Sequence, residues 1–324
     1  MARGAIGGFL GVRLARAGAA LSVMARGKTL EALRAGGWTL LHGAQFTVAT
    51  VNAVADPREL GEQDIVILAV KACSVPSVAP MLAPLLGPRT MLVPALNGVP
   101  WWFTDGPAQM PLRALQSVDP GGLIAAGIPI GKVVGAVVYP ACSSPAPAVA
   151  RHHSGSRIVF GEPAAPAGVA PSQRVLELVR LHREAGFDAE ASADIRTELW
   201  KKLLGNACFN PVSLLTGSAT DLMIDDPGVY ALFAAMMSET LAIGRAMGVD
   251  AAIDPVDRIA ITRKLGNVKT SMLQDSEAAR VVEIDAILGA VIELADQLGV
   301  DAPHLRAVYA LARMRAKTFG LLQN

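Results

Sequence analysis

Cysteine, aromatic residues and charge are all scarce in this chain. Only Cys73, Cys142 and Cys208 occur in 324 residues, far apart, with no CxxC pair and no Cys/His cluster. That pattern argues against a zinc site and against a disulfide scaffold, and it fits a reducing cytoplasm. Charged residues make up 18% of the chain and the net charge is +1. No electrostatic case therefore exists for nucleic acid or a membrane surface as partner. Mean hydropathy is positive, yet the long uncharged stretches at 72–88 and 133–150 are cut by prolines. Neither supplies the ~20 continuous apolar residues of a membrane-spanning helix. A secretory signal is not expected either, because Arg3 is followed by no apolar run with a cleavage site.

Hydrophobic residues are plentiful at 52%, enough for sizeable cores, and the length exceeds what one core usually serves. Two domains are expected. In the first half, short β-rich runs alternate with helical segments. Residues 8–17 read as a helix, 20–24 as a strand and 29–35 as a short helix. Residues 38–41 and 46–54 read as two strands joined by a turn at 42–44. The run DIVILAV at 64–70 is apolar throughout, as a strand buried on both faces should be. Residues 90–96, 133–139 and 157–160 add further strands, and 143–147 reads as a small Pro/Ser loop. Strands alternating with helices imply βαβ units and a parallel sheet. From about residue 193 the periodicity becomes helical, punctuated by Gly217, Pro227, Gly248, Pro255, Gly299 and Pro303. The expected division is an α/β domain over 1–191 and an all-helical domain over 192–324.

Gly4-Ala5-Ile6-Gly7-Gly8 opens the first helix. A Rossmann-like dinucleotide-binding fold needs glycines at such a place, so that the backbone can approach a pyrophosphate held by the free N–H groups of the helix. Gly4 and Gly7 fit the second and third glycines of the G-x-G-x-x-G fingerprint, and the first falls on Ala2. Helices that bind no cofactor also begin with glycines, so the fragment alone leaves both readings open. The strand at 20–24 ends in Ala25-Arg26-Gly27-Lys28. An NAD enzyme usually has Asp or Glu there for the ribose 2′-hydroxyl, whereas a guanidinium suits a 2′-phosphate, which favours NADPH. Lys71 follows the strand at 64–70, at the carboxyl edge where such folds bind ligands.

Lys202, Asn206 and Asn210 recur every four residues in ELWKKLLGNACFNP, so on a helix they share one face. A lysine and two amides could polarise a carbonyl and grip a polar substrate; a solvent-facing polar stripe has the same spacing. Ser271 in TSMLQD could bind a carboxylate, and Glu283 in VEID could balance a lysine charge. Each is also an ordinary helix residue.

Together GAIGG, VKA, LNGV, LWKKLLGNACFNP, TSMLQD and VEID resemble the ketopantoate reductase (2-dehydropantoate 2-reductase) family along essentially the whole chain. The resemblance implies an oxidoreductase that uses NADPH to reduce ketopantoate to pantoate, for pantothenate and coenzyme A synthesis. It implies Lys202 as general acid and Glu283 as its essential partner on the substrate side. Asn206, Asn210 and Ser271 would hold the substrate, and Asn97 would lie near both nicotinamide and substrate. Gly4, Ala5, Ile6 and Gly7 would carry the pyrophosphate, and Arg26 and Lys71 the adenosine 2′-phosphate. Reduction of another branched 2-oxo acid, or a non-catalytic NADP-binding role, stay open as alternatives, and the apolar helices leave room for a homodimer. Two departures stand out. The family's first strand and first glycine are not found, so a short apolar strand ending in glycine is expected to precede this sequence. Trp101 and Trp102 after Asn97-Gly98 either join the core or shape a different substrate pocket.

Overall fold

The computed structural model describes residues 4–105 and 112–323. Ala2, aligned with the first fingerprint glycine, lies outside the described residues. The chain forms two compact units, 1–96 with 123–195 and 97–122 with 196–324. The division expected at 191/192 lies close to the last of these junctions, while the stretch 97–122 belongs with the helical unit.

The first unit runs α1 (Ala5–Arg16), β1 (Ser22–Met24), α2 (Gly27–Gly36), β2 (Trp38–His42), β3 (Gln45–Ala49), β4 (Asn52–Val54), β5 (Ile65–Leu68) and α3 (Val75–Val78). It continues with β6 (Met91–Pro94), α4 (Leu123–Gly127), β7 (Gly135–Val138), β8 (Ala141–Ala146), β9 (Val149–Ser154), β10 (Arg157–Gly161), α5 (Gln173–Glu184) and β11 (Asp188–Ala191). β1 pairs in parallel with β4, and β5 in parallel with β6. A bridge from Leu92 to Val133 carries β6 towards β7, which pairs antiparallel with β10; β10 pairs in parallel with β11. A second sheet has the order β3-β2-β9-β8.

Two expectations need correction. The strand read over 46–54 is two strands, because β3 pairs with β2 and β4 with β1; the chain changes sheets at Thr50 and Val51. The loop read at 143–147 lies largely within β8 of a β8–β9 hairpin, with Ala148 at φ 56° in its turn. Proline hid this strand. Pro145 is tolerated because β8 is an edge strand, where a missing N–H costs no ladder bond.

Glycine sets how closely α1 approaches the second sheet. A Cβ on Gly8 would lie 2.6 Å from the Ala150 Cβ and 2.8 Å from the Trp38 Nε1, and one on Gly11 would lie 2.9 Å from the Trp38 ring. Trp38 and Ala150 belong to β2 and β9, so the two glycines let the helix rest directly on these strands. Phe9, Leu10 and Val12 are buried beside them.

The second unit is helical: α6 (Ile195–Thr216), α7 (Thr220–Asp225), α8 (Pro227–Ala246), α9 (Pro255–Arg263), α10 (Ser271–Glu277), α11 (Ala290–Leu298) and α12 (Pro303–Thr318). A π-helical turn over Asp285–Gly289 leads into α11. Among the described residues no helix is long and apolar enough to cross a membrane.

The glycine packing yields a stability test. Gly8→Ala adds a methyl where Ala150 and Trp38 leave no room, at a cost of about 1–3 kcal/mol for overpacking, against which alanine returns up to ~1 kcal/mol of helix propensity. Gly36 has open space around its would-be Cβ, so Gly36→Ala should leave stability unchanged or slightly raised. Urea denaturation of the two variants should show loss only for the first; equal midpoints would refute the packing account.

Candidate functional site

Site residues occur in both units, and each group is built within its own unit. In the first, Gly4 caps α1 with extended backbone, φ −96° and ψ 150°. A Cβ there would stand 3.1 Å from the Ala69 carbonyl oxygen just past β5. The start of α1, with Ala5, Ile6 and Gly7, therefore lies at the carboxyl end of β5, where open α/β sheets bind ligands. Arg26 caps α2 at the carboxyl end of β1. A cavity of about 450 Å³ is lined by Gly4, Arg26, Lys28 and Thr29, and by the β8–β9 hairpin from Ser144 to Val149. A helix start, two cations and small hydroxyl residues around one cavity form a setting suited to a phosphorylated ligand. The Arg26 Nη2 lies 3.1 Å from the Met81 sulfur, a weak acceptor. Lys71 sits just beyond β5, capping a short 3₁₀ turn, and does not line this cavity. Thr29 and Ser144 were not foreseen; Ser144 had no local signal, because the hairpin that brings it there read as a loop.

In the second unit α6 carries Lys202, Asn206 and Asn210. Trp200 fixes the roll of this helix. Its indole Nε1 donates to the Thr240 carbonyl at 3.2 Å, and Gly244 of α8 comes so close that a Cβ would sit 2.4 Å from that nitrogen. With the roll set, Lys201 turns to Glu198 at 2.9 Å, while Lys202 donates from Nζ to the Asn97 Oδ1 at 2.8 Å. Lys202 does not lie on an outer solvent face: burial pushes its ammonium down to about 8 from the ordinary 10.5, and the Glu283 carboxylate opposes that shift. Desolvation disfavours the charged form and a nearby carboxylate favours it, with burial the larger effect here.

Backbone contact explains how Asn97 reaches Lys202. Gly98 has φ 79°, and a Cβ on it would lie 2.4 Å from the Ala286 carbonyl oxygen. The Val99 N–H donates to that same oxygen at 2.8 Å. Residues 97–99 thus lie directly on the π-helical turn, and only glycine accepts both the angle and the proximity. Asp285, in the same turn, accepts from the Tyr309 hydroxyl at 2.7 Å and from the Arg313 Nε at 3.1 Å. Of the two acids in VEID, Asp285 is held by α12 and Glu283 acts on Lys202. The π-turn itself had no signal in the sequence.

Asn206 is half-buried, and Asn210 is 4% exposed. Among the described residues the Asn210 Nδ2 has no hydrogen-bond partner. A buried amide without a partner is costly and calls for an explanation. Ser213 ties this part of α6 to α10: its hydroxyl donates to the Asn210 carbonyl at 2.8 Å and lies 2.5 Å from the Thr270 hydroxyl. Thr270 caps α10, accepting from the Leu273 N–H. Ser271, the next residue, is exposed, and the hydrogen bonds joining Lys202 to Asn97 do not extend to it among the described residues. Trp101 and Trp102 are 3% and 1% exposed, and Phe103 stacks on Trp200 at 5.7 Å. The aromatic run is core. Among the described residues no group of three His, Cys, Asp or Glu could hold a metal ion.

Family models for ketopantoate reductase PanE/ApbA match residues 3–165, and for its C-terminal part residues 194–316. A 2-dehydropantoate 2-reductase of Mesorhizobium japonicum is 44% identical over 97% of this chain and 95% of its own length. A protein of Ralstonia solanacearum MolK2, assigned as a ketopantoate reductase, has a crystal structure that matches at TM-score 0.93 and 45% identity, covering 98% of this chain and 97% of that one. A D-mandelate dehydrogenase solved with NADH and anilino(oxo)acetate shares the fold at TM-score 0.83 and 16% identity, over 99% of this chain and 97% of that one. The two family models together span the α/β unit and the helical unit, and the chain belongs to the ketopantoate reductases.

Proposed function

We propose that this chain reduces ketopantoate to pantoate with NADPH, in the route to pantothenate and coenzyme A. The observation that carries the reading is the pairing of a half-buried lysine, Lys202, with the Asn97 amide oxygen at 2.8 Å and with the Glu283 carboxylate. Reduced nicotinamide, held by the start of α1, would supply the hydride that the carbonyl carbon of the 2-oxo acid accepts. The C=O π electrons move onto oxygen, and Lys202 delivers its Nζ proton there, leaving a CH–OH group and a neutral amine that solvent recharges. An ammonium next to the forming oxyanion lowers the barrier, and a group that titrates near working pH both gives and regains its proton readily. Asn97 holds the ammonium in place and Glu283 keeps it protonated.

The unpartnered Asn210 amide supports a substrate-binding role, with Asn206 one turn earlier on the same face and Ser271 receiving the carboxylate. Gly4, Ala5, Ile6 and Gly7 would hold the pyrophosphate on free N–H groups of α1. For the adenosine 2′-phosphate, Arg26 and Lys28 supply charge in the cavity beside Gly4, with Lys71 close to the end of β5. The absence of an acidic side chain at the end of β1 favours NADPH over NADH. Steady-state rates over a panel of 2-oxo acids, each with NADPH and with NADH, test the proposal. Ketopantoate with NADPH should give the highest kcat/KM. A different acid, or NADH, ahead by about tenfold, which is ~1.4 kcal/mol of transition-state preference, would overturn that part of the reading.

The lysine gives a pH dependence of known sign. Reduction needs protonated Lys202, so kcat/KM should be level at low pH and decline above about 8. Removing the opposing carboxylate in Glu283→Gln lowers the lysine further, and the decline should begin at lower pH. A decline that stays where it was, or moves upward, would show that Glu283 does not act on Lys202.

Asn210 separates binding from stability. Asn210→Leu removes a buried amide whose Nδ2 has no hydrogen-bond partner among the described residues, so stability should rise by about 1 kcal/mol, while kcat/KM falls by about tenfold or more if substrate is what the amide awaits. Denaturant unfolding and steady-state kinetics on one preparation read both. Lower stability with unchanged kinetics would make Asn210 a structural residue.

A further inference from the structure

At the π-turn the Ala290 N–H donates to the Asp285 carbonyl, five residues back. In α geometry it would donate to Ala286, four residues back. The Ala286 carbonyl is thereby left over, and it accepts the Val99 N–H at 2.8 Å. The π register thus clears the acceptor that seats residues 97–99. Relaxed to α geometry, the turn would set Ala290 against Val99 for the same carbonyl. Nothing in the turn's own residues, DAILG, favours the rarer register, so neighbours must impose it.

Support comes from α12. The Tyr309 hydroxyl donates to the Asp285 Oδ1 at 2.7 Å, at the first residue of the turn. A Cβ on Gly289, the last residue, would stand 2.9 Å from the same hydroxyl. One phenol oxygen therefore lies against both ends of the turn. Arg313, one turn further along α12, donates from Nε to the same Oδ1 at 3.1 Å. Burial and the bond to Asp285 push the Tyr309 phenol well above its ordinary range, and Asp285 raises Arg313 as well. Neither group changes charge where Lys202 titrates. Glu293, the other acid near Tyr309, accepts from the Gln116 and Ser117 N–H groups. Lys202 faces Asn97 and Glu283, while its charged neighbours on α6, Lys201 and Glu198, pair with each other.

We propose that Tyr309 and Arg313 are positioning residues for the reduction: through Asp285 they hold the π register, the register frees the Ala286 carbonyl for Val99, and Asn97 is thereby kept on Lys202. The inference rests on Lys202 as the proton donor, and neither positioning residue touches substrate. An amide oxygen that accepts from the ammonium favours the protonated lysine. Loosening the turn withdraws that oxygen, so Lys202 gives up its proton at lower pH.

Two variants separate this route from direct electrostatics. Tyr309→Phe removes a hydroxyl and no charge, so a change at Lys202 must come through the turn. Arg313→Gln removes a positive charge. Acting through space alone, that loss would raise the Lys202 midpoint, whereas release of the turn lowers it. Arg306→Gln removes an equal charge from α12 at its pair with Asp296 and serves as control. Carbon NMR of labelled lysine in the full chain, without substrate, follows the Lys202 titration. The midpoint should fall by about 0.5 or more in both variants, a ~threefold loss of proton affinity, and stay in place in the control. Exchange of the Val99 amide should quicken by about tenfold or more relative to Met237, buried in α8. A midpoint that holds in Tyr309→Phe, or rises in Arg313→Gln, would overturn the proposal. Faster Val99 exchange with Lys202 unmoved would also overturn it and make α12 a structural support alone. A fall at Lys202 without faster Val99 exchange would overturn the route through the turn. Neither readout needs turnover, so failure to reduce ketopantoate would count against the proposed activity and not against this clamp.

Discussion

A lysine that is half-buried and desolvated and yet able to carry a proton near neutral pH is the constraint on which the second unit depends. Burial alone would strip Lys202 of its proton well below its ordinary range, and Glu283 limits that fall. The amide oxygen of Asn97 must then lie within hydrogen-bond reach, which needs 97–99 pressed onto the π-turn, which in turn needs glycine at 98. A π-turn carries one residue more than an α-turn in the same rise, which changes the face its side chains present. Here the turn gives Asp285 to Tyr309 and Arg313, so that the two neighbouring acids have separate partners. Trp200 wedged against Gly244 adds the last condition, since rotating α6 would exchange Lys202 for Lys201.

Backbone proximity governs the first unit instead. Its glycines look alike in sequence and do different work. Gly4 brings the start of α1 to Ala69 at the carboxyl end of β5; Gly8 and Gly11 seat the same helix on Trp38. One helix is thereby held against a sheet while its cap, Gly4, stays at the cavity beside Arg26. The β8–β9 hairpin completes that cavity from the far side, so the cavity combines a helix start of the kind found in dinucleotide folds with a wall made by a hairpin.

Much of this was legible in the residues, and the failures have physical causes. The apolar run at 64–70 and the helical periodicity beyond 193 survive into β5 and the bundle because burial on two faces, or on one stripe, leaves a period in the sequence. Four-residue spacing placed Lys202, Asn206 and Asn210 on one helix for the same reason. What left no period was missed. β8 is an edge strand with a proline, β4 is three residues that change sheets, and the π-turn is a local irregularity set by tertiary contact. The choice between Glu283 and Asp285 could not be read from VEID, since it depends on α12 approaching from elsewhere in the chain. Trp101 and Trp102 were ambiguous because large aromatics serve cores and pockets alike, and their burial decides for the core.

The site's chemistry also has a stability cost, whose sign follows from the same lysine. In the unfolded chain Lys202 keeps its proton to about 10.4, while in the folded protein it loses it near 8. Between those values the unfolded state binds more protons, so this group makes the fold more stable as pH rises through that window. Below 8 the folded protein carries a desolvated ammonium that the unfolded chain would hydrate. The fold is therefore least favoured by Lys202 in the range where the lysine is protonated and able to donate. Asn210 repeats the pattern with a neutral group on the same helix face, a buried amide whose Nδ2 has no partner among the described residues. Both residues oppose burial, and the apolar contacts around them offset it: Leu203, Leu204, Ala207 and Cys208 are all nearly inaccessible. That is the physical reason a polar stripe can persist on a helix otherwise built as core.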